Sequence, residues 1–142
     1  MDTDTPFSFF LPITVRYRDL DPQGHVNNAV YLTYLESARL AYYQAVGIWH
    51  PNTGAQTGMV VAHIEIDYLA PILLEQSIQV GLRLEKMGNK SLTLAFIIED
   101  VSTSKVIAKG KSVMVAYDNQ QDASIPIPLP WREKINRFES KE

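Results

Sequence analysis

Apolar and polar positions trade places from Phe7 to Arg18, with Phe9, Leu11, Ile13, Val15 and Tyr17 on one face and Thr14, Arg16 and Arg18 on the other. That period predicts a half-buried strand over 7–18, and Pro12 marks an edge or a bulge near its start. The period then lengthens. From Ala29 to Val46 the apolar residues Tyr31, Tyr34, Leu35, Ala38, Ala41, Tyr42 and Ala45 keep helical spacing, and Gly47 is placed to end the helix. Leu32, Leu40 and Tyr43 fall on the opposite side, and a helix apolar most of the way round is predicted to be enclosed by other structure.

Alternation then returns four times. Val60, Ala62, Ile64 and Ile66 oppose His63, Glu65 and Asp67; Ile78, Val80, Leu82 and Leu84 oppose Gln79, Gly81, Arg83 and Glu85. Leu92, Leu94, Phe96 and Ile98 form a third face, and Val106 to Tyr117 a fourth. Gly88-Asn89 and Ser102-Thr103-Ser104 are turn chemistry, and connections this short imply antiparallel pairing. One antiparallel five-stranded sheet and one long helix have an economical solution: the sheet curls around the helix, giving a single α+β domain over 1–142. Residues from about 118 to 142 form an extension, with Ile125-Pro-Ile-Pro-Leu-Pro130 extended and Trp131 to Phe138 a short amphipathic segment.

Between the first strand and the helix the pattern breaks at Asp21-Pro22 and Gly24, so an aspartate and a histidine stand beside a new helix start. Asn28 is the predicted N-cap. His50 to Gly58, rich in proline, asparagine and glycine, is predicted as an exposed loop flanking a substrate entrance.

Composition narrows the chemistry. A net charge of −3 gives no general attraction to nucleic acid or an anionic membrane, and no cysteine is present to serve as nucleophile, thiolate ligand or disulfide. The acidic start Met1-Asp-Thr-Asp-Thr-Pro6 lacks the basic opening and long apolar core of a secretory signal, and no run approaches the ~20 apolar residues of a membrane span, so a cytoplasmic protein is expected. Gly110-Lys111-Ser112 imitates the end of a phosphate loop, but Lys105 stands where the first glycine belongs and the segment alternates as a strand. No Gly-x-Ser-x-Gly elbow occurs. His25, His50 and His63 are too scattered for a metal site, and His63 reads as a solvated side chain.

Asp21, Gln23 and His25 allow two readings. In one they are turn chemistry before a cap. In the other Asp21 is a general base or nucleophile, His25 and Gln23 orient substrate or water, and amides at the helix start near Asn28 hold developing negative charge.

Asp21-Pro-Gln-Gly-His-Val-Asn-Asn-Ala-Val-Tyr-Leu32, followed by Glu36-Ser-Ala-Arg39, resembles the signature of hotdog-fold acyl-CoA thioesterases of the 4-hydroxybenzoyl-CoA thioesterase type. The His-Val-Asn-Asn-x-x-Tyr form is most similar to the fatty acyl-CoA and acyl-carrier-protein branch, and Ile66-Asp-Tyr-x-x-Pro71 extends the likeness. The resemblance implies a catalytic Asp21, a supporting His25, and an Asn28 amide that polarises the thioester carbonyl. Gln23 stands where plant enzymes carry asparagine. Glu36 is implied either as a buried partner of Arg39 or a strand arginine, or as a catalytic group. Substrate contacts are expected from Tyr31, Leu35 and Val60 for a fatty or aromatic acyl group. Coenzyme A, as part of the substrate, is expected at Lys86, Lys90 and Ser91, with Arg83, Lys109 and Lys111 as further cations; the alternative reading of these basic residues is a solvated charged face. The resemblance also implies a homodimer or homotetramer with sites drawing on both chains, and no metal or separate cofactor. A hotdog hydratase is disfavoured, because its motif places histidine five residues after aspartate and His25 follows Asp21 by four. A non-catalytic acyl-CoA-binding subunit is the remaining rival.

Overall fold

The computed structural model describes residues 6–52 and 56–140. Strand β1 (Phe9–Ile13) leads through a 3-10 turn (Tyr17–Asp19) to helix α1 (Asn28–Val46). There follow β2 (Thr57–Tyr68), β3 (Ile78–Met87), β4 (Ser91–Asp100), β5 (Val106–Asp118), the two-residue β6 (Ala123–Ser124) and helix α2 (Leu129–Glu139). The sheet runs β1-β3-β4-β5-β2 with β6 on β5, all pairs antiparallel. Among the described residues there is therefore one α+β fold built on a central helix.

The core lies between α1 and the sheet. Leu35, Ala38 and Tyr42 of the helix are buried against Val80, Leu82, Leu94, Phe96 and Ile98. α1 packs chiefly on β1 and β3. The β2 side of the sheet is left less covered, and there the expected enclosure of the helix fails: Leu32 and Leu40 are 39 % and 40 % exposed, while Tyr43 is buried.

Several elements depart from the sequence expectation for local reasons. The first strand ends at Ile13, and Tyr17, expected on its inner face, belongs to the 3-10 turn and is exposed. The N-cap is Asn27, not Asn28: Asn27 is extended at ψ 137 and its side chain accepts from the Ala29 N–H at 2.8 Å. Gly58 belongs to β2, not to the preceding loop, part of which lies outside the described residues. A bulge between Val61 and His63 shifts the phase of β2. Val60 consequently pairs with Val115 on the outer face, away from Ile64 and Ile66, which share a face with buried Ser112.

The C-terminal extension is part of the core rather than an appendage. Ile135 of α2 is fully buried, Phe138 stacks edge-on against Tyr42, and the Tyr42 hydroxyl donates to Glu139. Gly110 likewise has a structural role. It faces Ile66 across the β2–β5 pair, where a methyl group would collide with the Glu65 carbonyl oxygen and the Phe96 ring. Gly110→Ala is expected to destabilise the domain by about 1–3 kcal/mol through overpacking, read as a lower urea midpoint at unchanged m-value.

Candidate active site

The loop between the 3-10 turn and α1 is held at both ends. Leu20 and Val26 form an isolated antiparallel bridge, and inside it the Asp21 N–H donates to His25 O at 2.7 Å while Gly24 N–H donates to Asp21 O at 3.0 Å. Gly24 makes this turn at φ +82, in the left-handed region that suits glycine. Val26 N–H then bonds Ile72 O at 2.9 Å, and Asn27 N–H bonds Asp19 O at 2.8 Å. These bonds aim α1 at the loop.

Asp19 anchors the arrangement. It is 3 % exposed, accepts from the Tyr34 hydroxyl at 2.7 Å and the Arg16 N–H at 3.0 Å, and pairs with the Arg16 guanidinium at 3.4 Å. Burial alone pushes the Asp19 carboxyl up, but the Tyr34 and Arg16 bonds outweigh it and hold the group below the usual carboxylate range. Burial and the same bond push the Tyr34 hydroxyl up.

Asp21, His25, Val26, Asn28, Tyr31, Tyr68, Leu69, Ala70 and Pro71 line one open cleft of about 480 Å³. Asp21 Oδ1 accepts from the backbone N–H groups of Gln23 at 2.9 Å and His25 at 3.3 Å, and among the described residues Oδ2 accepts nothing. Asn28 is the first helical residue, so its N–H has no intrahelical acceptor, and none is supplied by the described residues. Tyr31 is 3 % exposed; its hydroxyl donates to Ala70 O at 3.4 Å and its ring meets Tyr68 edge-on at 4.9 Å. Tyr68 donates to Asn28 O at 3.2 Å. Burial pushes the Tyr31 hydroxyl up. Residues carrying a carboxylate, an imidazole, an orphan amide at the positive end of a helix and two aromatic rings thus line one space.

Not every sequence candidate reaches that space. The Gln23 side chain is exposed outside the lining, and Leu35 is buried in the core at 1 % exposure. Val60 lines a different cavity of about 160 Å³, with Leu40, Tyr43, Trp49, Met59 and Trp131, at the far end of α1. Lys86, Lys90 and Ser91 are remote. Tyr68 pairs with Ala108 and Ser91 with Val115, seven residues farther along β5, which is about 23 Å. Arg83 is 6 % exposed beneath the Phe7 ring at 5.5 Å, which removes it from the surface cations. Glu36 is exposed rather than a buried partner. Sequence reasoning gave Tyr68 no role at the site, although it lies in the quoted Ile66-Asp-Tyr-x-x-Pro71 motif; the signal was an aromatic between acidic and proline residues at a strand end.

Comparison with known proteins agrees with this architecture. A thioesterase from Thermus thermophilus, solved with coenzyme A and zinc, is 37 % identical with a TM-score of 0.82, covering 96 % of this chain and 97 % of its own. The long-chain acyl-CoA thioesterase FadM of Escherichia coli is 29 % identical over 126 residues, which is 89 % of this chain and 96 % of that protein. The chloroplastic acyl-acyl carrier protein thioesterase ATL3 of Arabidopsis thaliana is 25 % identical over 128 residues, which is 89 % of this chain and 66 % of that protein. Fold and sheet order define a hotdog domain of the thioesterase kind. The chain belongs to the Thioesterase-like superfamily, which matches residues 15–135. Among the described residues no three histidine, aspartate or glutamate side chains are grouped to hold a metal ion, and no helix is long and apolar enough to cross a membrane.

The buried Asp19–Tyr34 bond gives a pH-dependent prediction. Because the folded carboxyl titrates below its unfolded value of ~3.9, its contribution is present above that value and lost as pH falls through the folded one. Tyr34→Phe is expected to cost about 1–3 kcal/mol at pH 7, and the gap between variant and wild type should narrow as urea melts are repeated below about pH 4.

Proposed function

We propose that this protein hydrolyses acyl thioesters of coenzyme A to the free acid and thiol, with the reaction centred on Asp21. The observation that carries the reading is the meeting of the unbonded Asp21 Oδ2, His25 and the orphan Asn28 amide in one cleft. Asp21 either takes a proton from an attacking water or attacks the carbonyl carbon itself, forming an anhydride that water then opens. In both routes the carbonyl oxygen gains negative charge beside the Asn28 N–H, the C–S bond breaks, and the sulfur leaves as thiol once protonated. A well-placed donor of this kind is worth ~3 kcal/mol to such a step. Tyr31 and Tyr68 wall the acyl side.

A fatty acyl group suits the helix better than a small one. The apolar cavity at Tyr43 and Trp49 begins near Leu40, twelve residues past Asn28, or about 18 Å along α1. One leaflet of hydrocarbon, about 15 Å, is that scale. The FadM similarity supports the same direction. The ATL3 similarity supports a carrier-protein thioester as the second candidate substrate.

Lys86, Lys90 and Ser91 contribute to coenzyme A binding in this reading only across a subunit boundary, because their own cleft is too distant. β2 is an edge strand, and pairing it antiparallel with a second β2 brings each subunit's far end toward the other's Asp21 cleft. The protein is accordingly read as at least a homodimer.

The test is thiol release from acyl-CoAs of increasing chain length and from an aromatic acyl-CoA, with Asp21→Asn alongside. Wild type should cleave the longer acyl-CoAs, and the variant should lose about 100-fold or more in kcat while remaining folded. An active Asp21→Asn protein would remove Asp21 from the chemistry and leave its Oδ1 bonds as turn structure. Acyl-CoA binding without release by the wild type would favour the non-catalytic subunit.

A further inference from the structure

The turn that joins β3 to β4 is held by a segment far away in sequence. Arg132, in the first turn of α2, donates from Nη2 to the Gly88 carbonyl at 2.8 Å and to the Asn89 carbonyl at 3.2 Å. The Ile127 N–H donates to the same Asn89 carbonyl at 2.9 Å. The Lys90 carbonyl accepts from the Ala116 N–H at 2.9 Å, and the Ser91 carbonyl from the Gly88 N–H at 2.7 Å. Every carbonyl from Gly88 to Ser91 therefore has a protein donor. Surface turns ordinarily leave such groups to water, whereas here one guanidinium supplies two of them.

The side chains on this stretch indicate what the restraint serves. Lys86 and Lys90 are exposed, and among the described residues neither enters an ion pair. Two like charges close to a glycine, whose backbone is the most permissive, favour an open turn. Arg132 opposes that tendency. It adds a third positive charge to the turn while its two bonds close it, and with Nη2 occupied by carbonyls the guanidinium braces the backbone instead of forking onto a ligand.

We propose that Arg132 is a positioning residue for the thiol half of the substrate: by bracing the β3–β4 turn it holds Lys90 and Ser91 in the arrangement that meets the phosphates of coenzyme A at the partner subunit's cleft. The proposal rests on the placement of coenzyme A given above, and it adds a residue of α2 that touches neither the substrate nor Asp21. A turn ordered before binding spares the ligand the entropy of ordering it on arrival. Loss of the brace is therefore felt in affinity for coenzyme A and not in the chemical step.

The test compares a long-chain acyl-CoA with the N-acetylcysteamine thioester of the same acid, which keeps the thioester and carries no phosphate. Arg132→Ala is expected to raise KM for the acyl-CoA on the order of 10-fold with kcat unchanged, and to leave kcat/KM for the N-acetylcysteamine thioester at the wild-type value. Lys90→Ala should do the same. The double variant should raise KM little beyond the larger single effect, because both substitutions remove one shared interaction. An equal loss on both thioesters makes Arg132 a general structural residue and overturns the proposal, as do multiplying KM effects in the double variant or an unchanged KM in Arg132→Ala. If Arg132→Ala fails to fold, Arg132→Gln, which keeps most of the stem, is measured in its place with the same split expected. Lys90→Ala without effect on KM removes coenzyme A from the turn and the role of Arg132 with it, whereas a Lys90 effect without an Arg132 effect removes only the latter. A wild type that releases no thiol refutes the thioesterase reading; calorimetric titration of coenzyme A then decides on Arg132, with a Kd about 10-fold weaker in Arg132→Ala supporting the brace and equal values overturning it.

Discussion

The candidate site depends on a carboxylate buried beside it. Asp19 is withdrawn from water yet stays acidic, because Tyr34 reaches back from the second turn of α1 and the Arg16 backbone and guanidinium close around it. Its own carbonyl accepts the Asn27 N–H, so the residue that ends the 3-10 turn also fixes where the helix begins. Without that tie the helix start is free to slide relative to the loop. With it, Asn28 is held in the lining of the same cleft as Asp21.

The loop itself is constrained rather than loose. The Leu20–Val26 bridge, the left-handed Gly24 and the two amides on Asp21 Oδ1 hold the carboxylate in one orientation, leaving its second oxygen for the cleft. The two readings of Asp21 offered by the sequence are compatible: turn chemistry is how the carboxylate is positioned. Backbone donors hold one oxygen of the side chain, and among the described residues the other accepts nothing.

Period made most of the fold legible. Helix α1 was bounded to within a residue by its apolar spacing and Gly47, and β3, β4 and β5 by clean alternation, since each lies in a sheet with one face against the core. The failures share a cause, which is that they depend on neighbours distant in sequence. The bulge in β2 follows from its pairing with β5 and turns Val60 outward; nothing within the strand announces it. Two adjacent asparagines compete for the cap, and the Asn27 N–H bond to Asp19 selects the first. Lysines on β3 and the β3–β4 turn looked available to a ligand, but strand register puts them at the opposite end of the sheet from Asp21. Of the candidate residues, Asp21, His25, Asn28 and Tyr31 meet in the cleft; these are the ones carried by a contiguous motif, where chain connectivity does the positioning.

If the Asn28 amide and the Asp21 carboxylate address one thioester, the substitution Asn28→Pro reveals it, because it deletes the N–H at a position where the backbone already suits proline. Proline is favoured at the first position of a helix, and Asn27 holds the extended geometry that a following proline requires, with ψ 137. Asn28→Pro is expected to keep its fold and KM while kcat for thiol release falls about 100-fold. A folded Asn28→Pro protein with undiminished kcat would remove the Asn28 amide from the reaction.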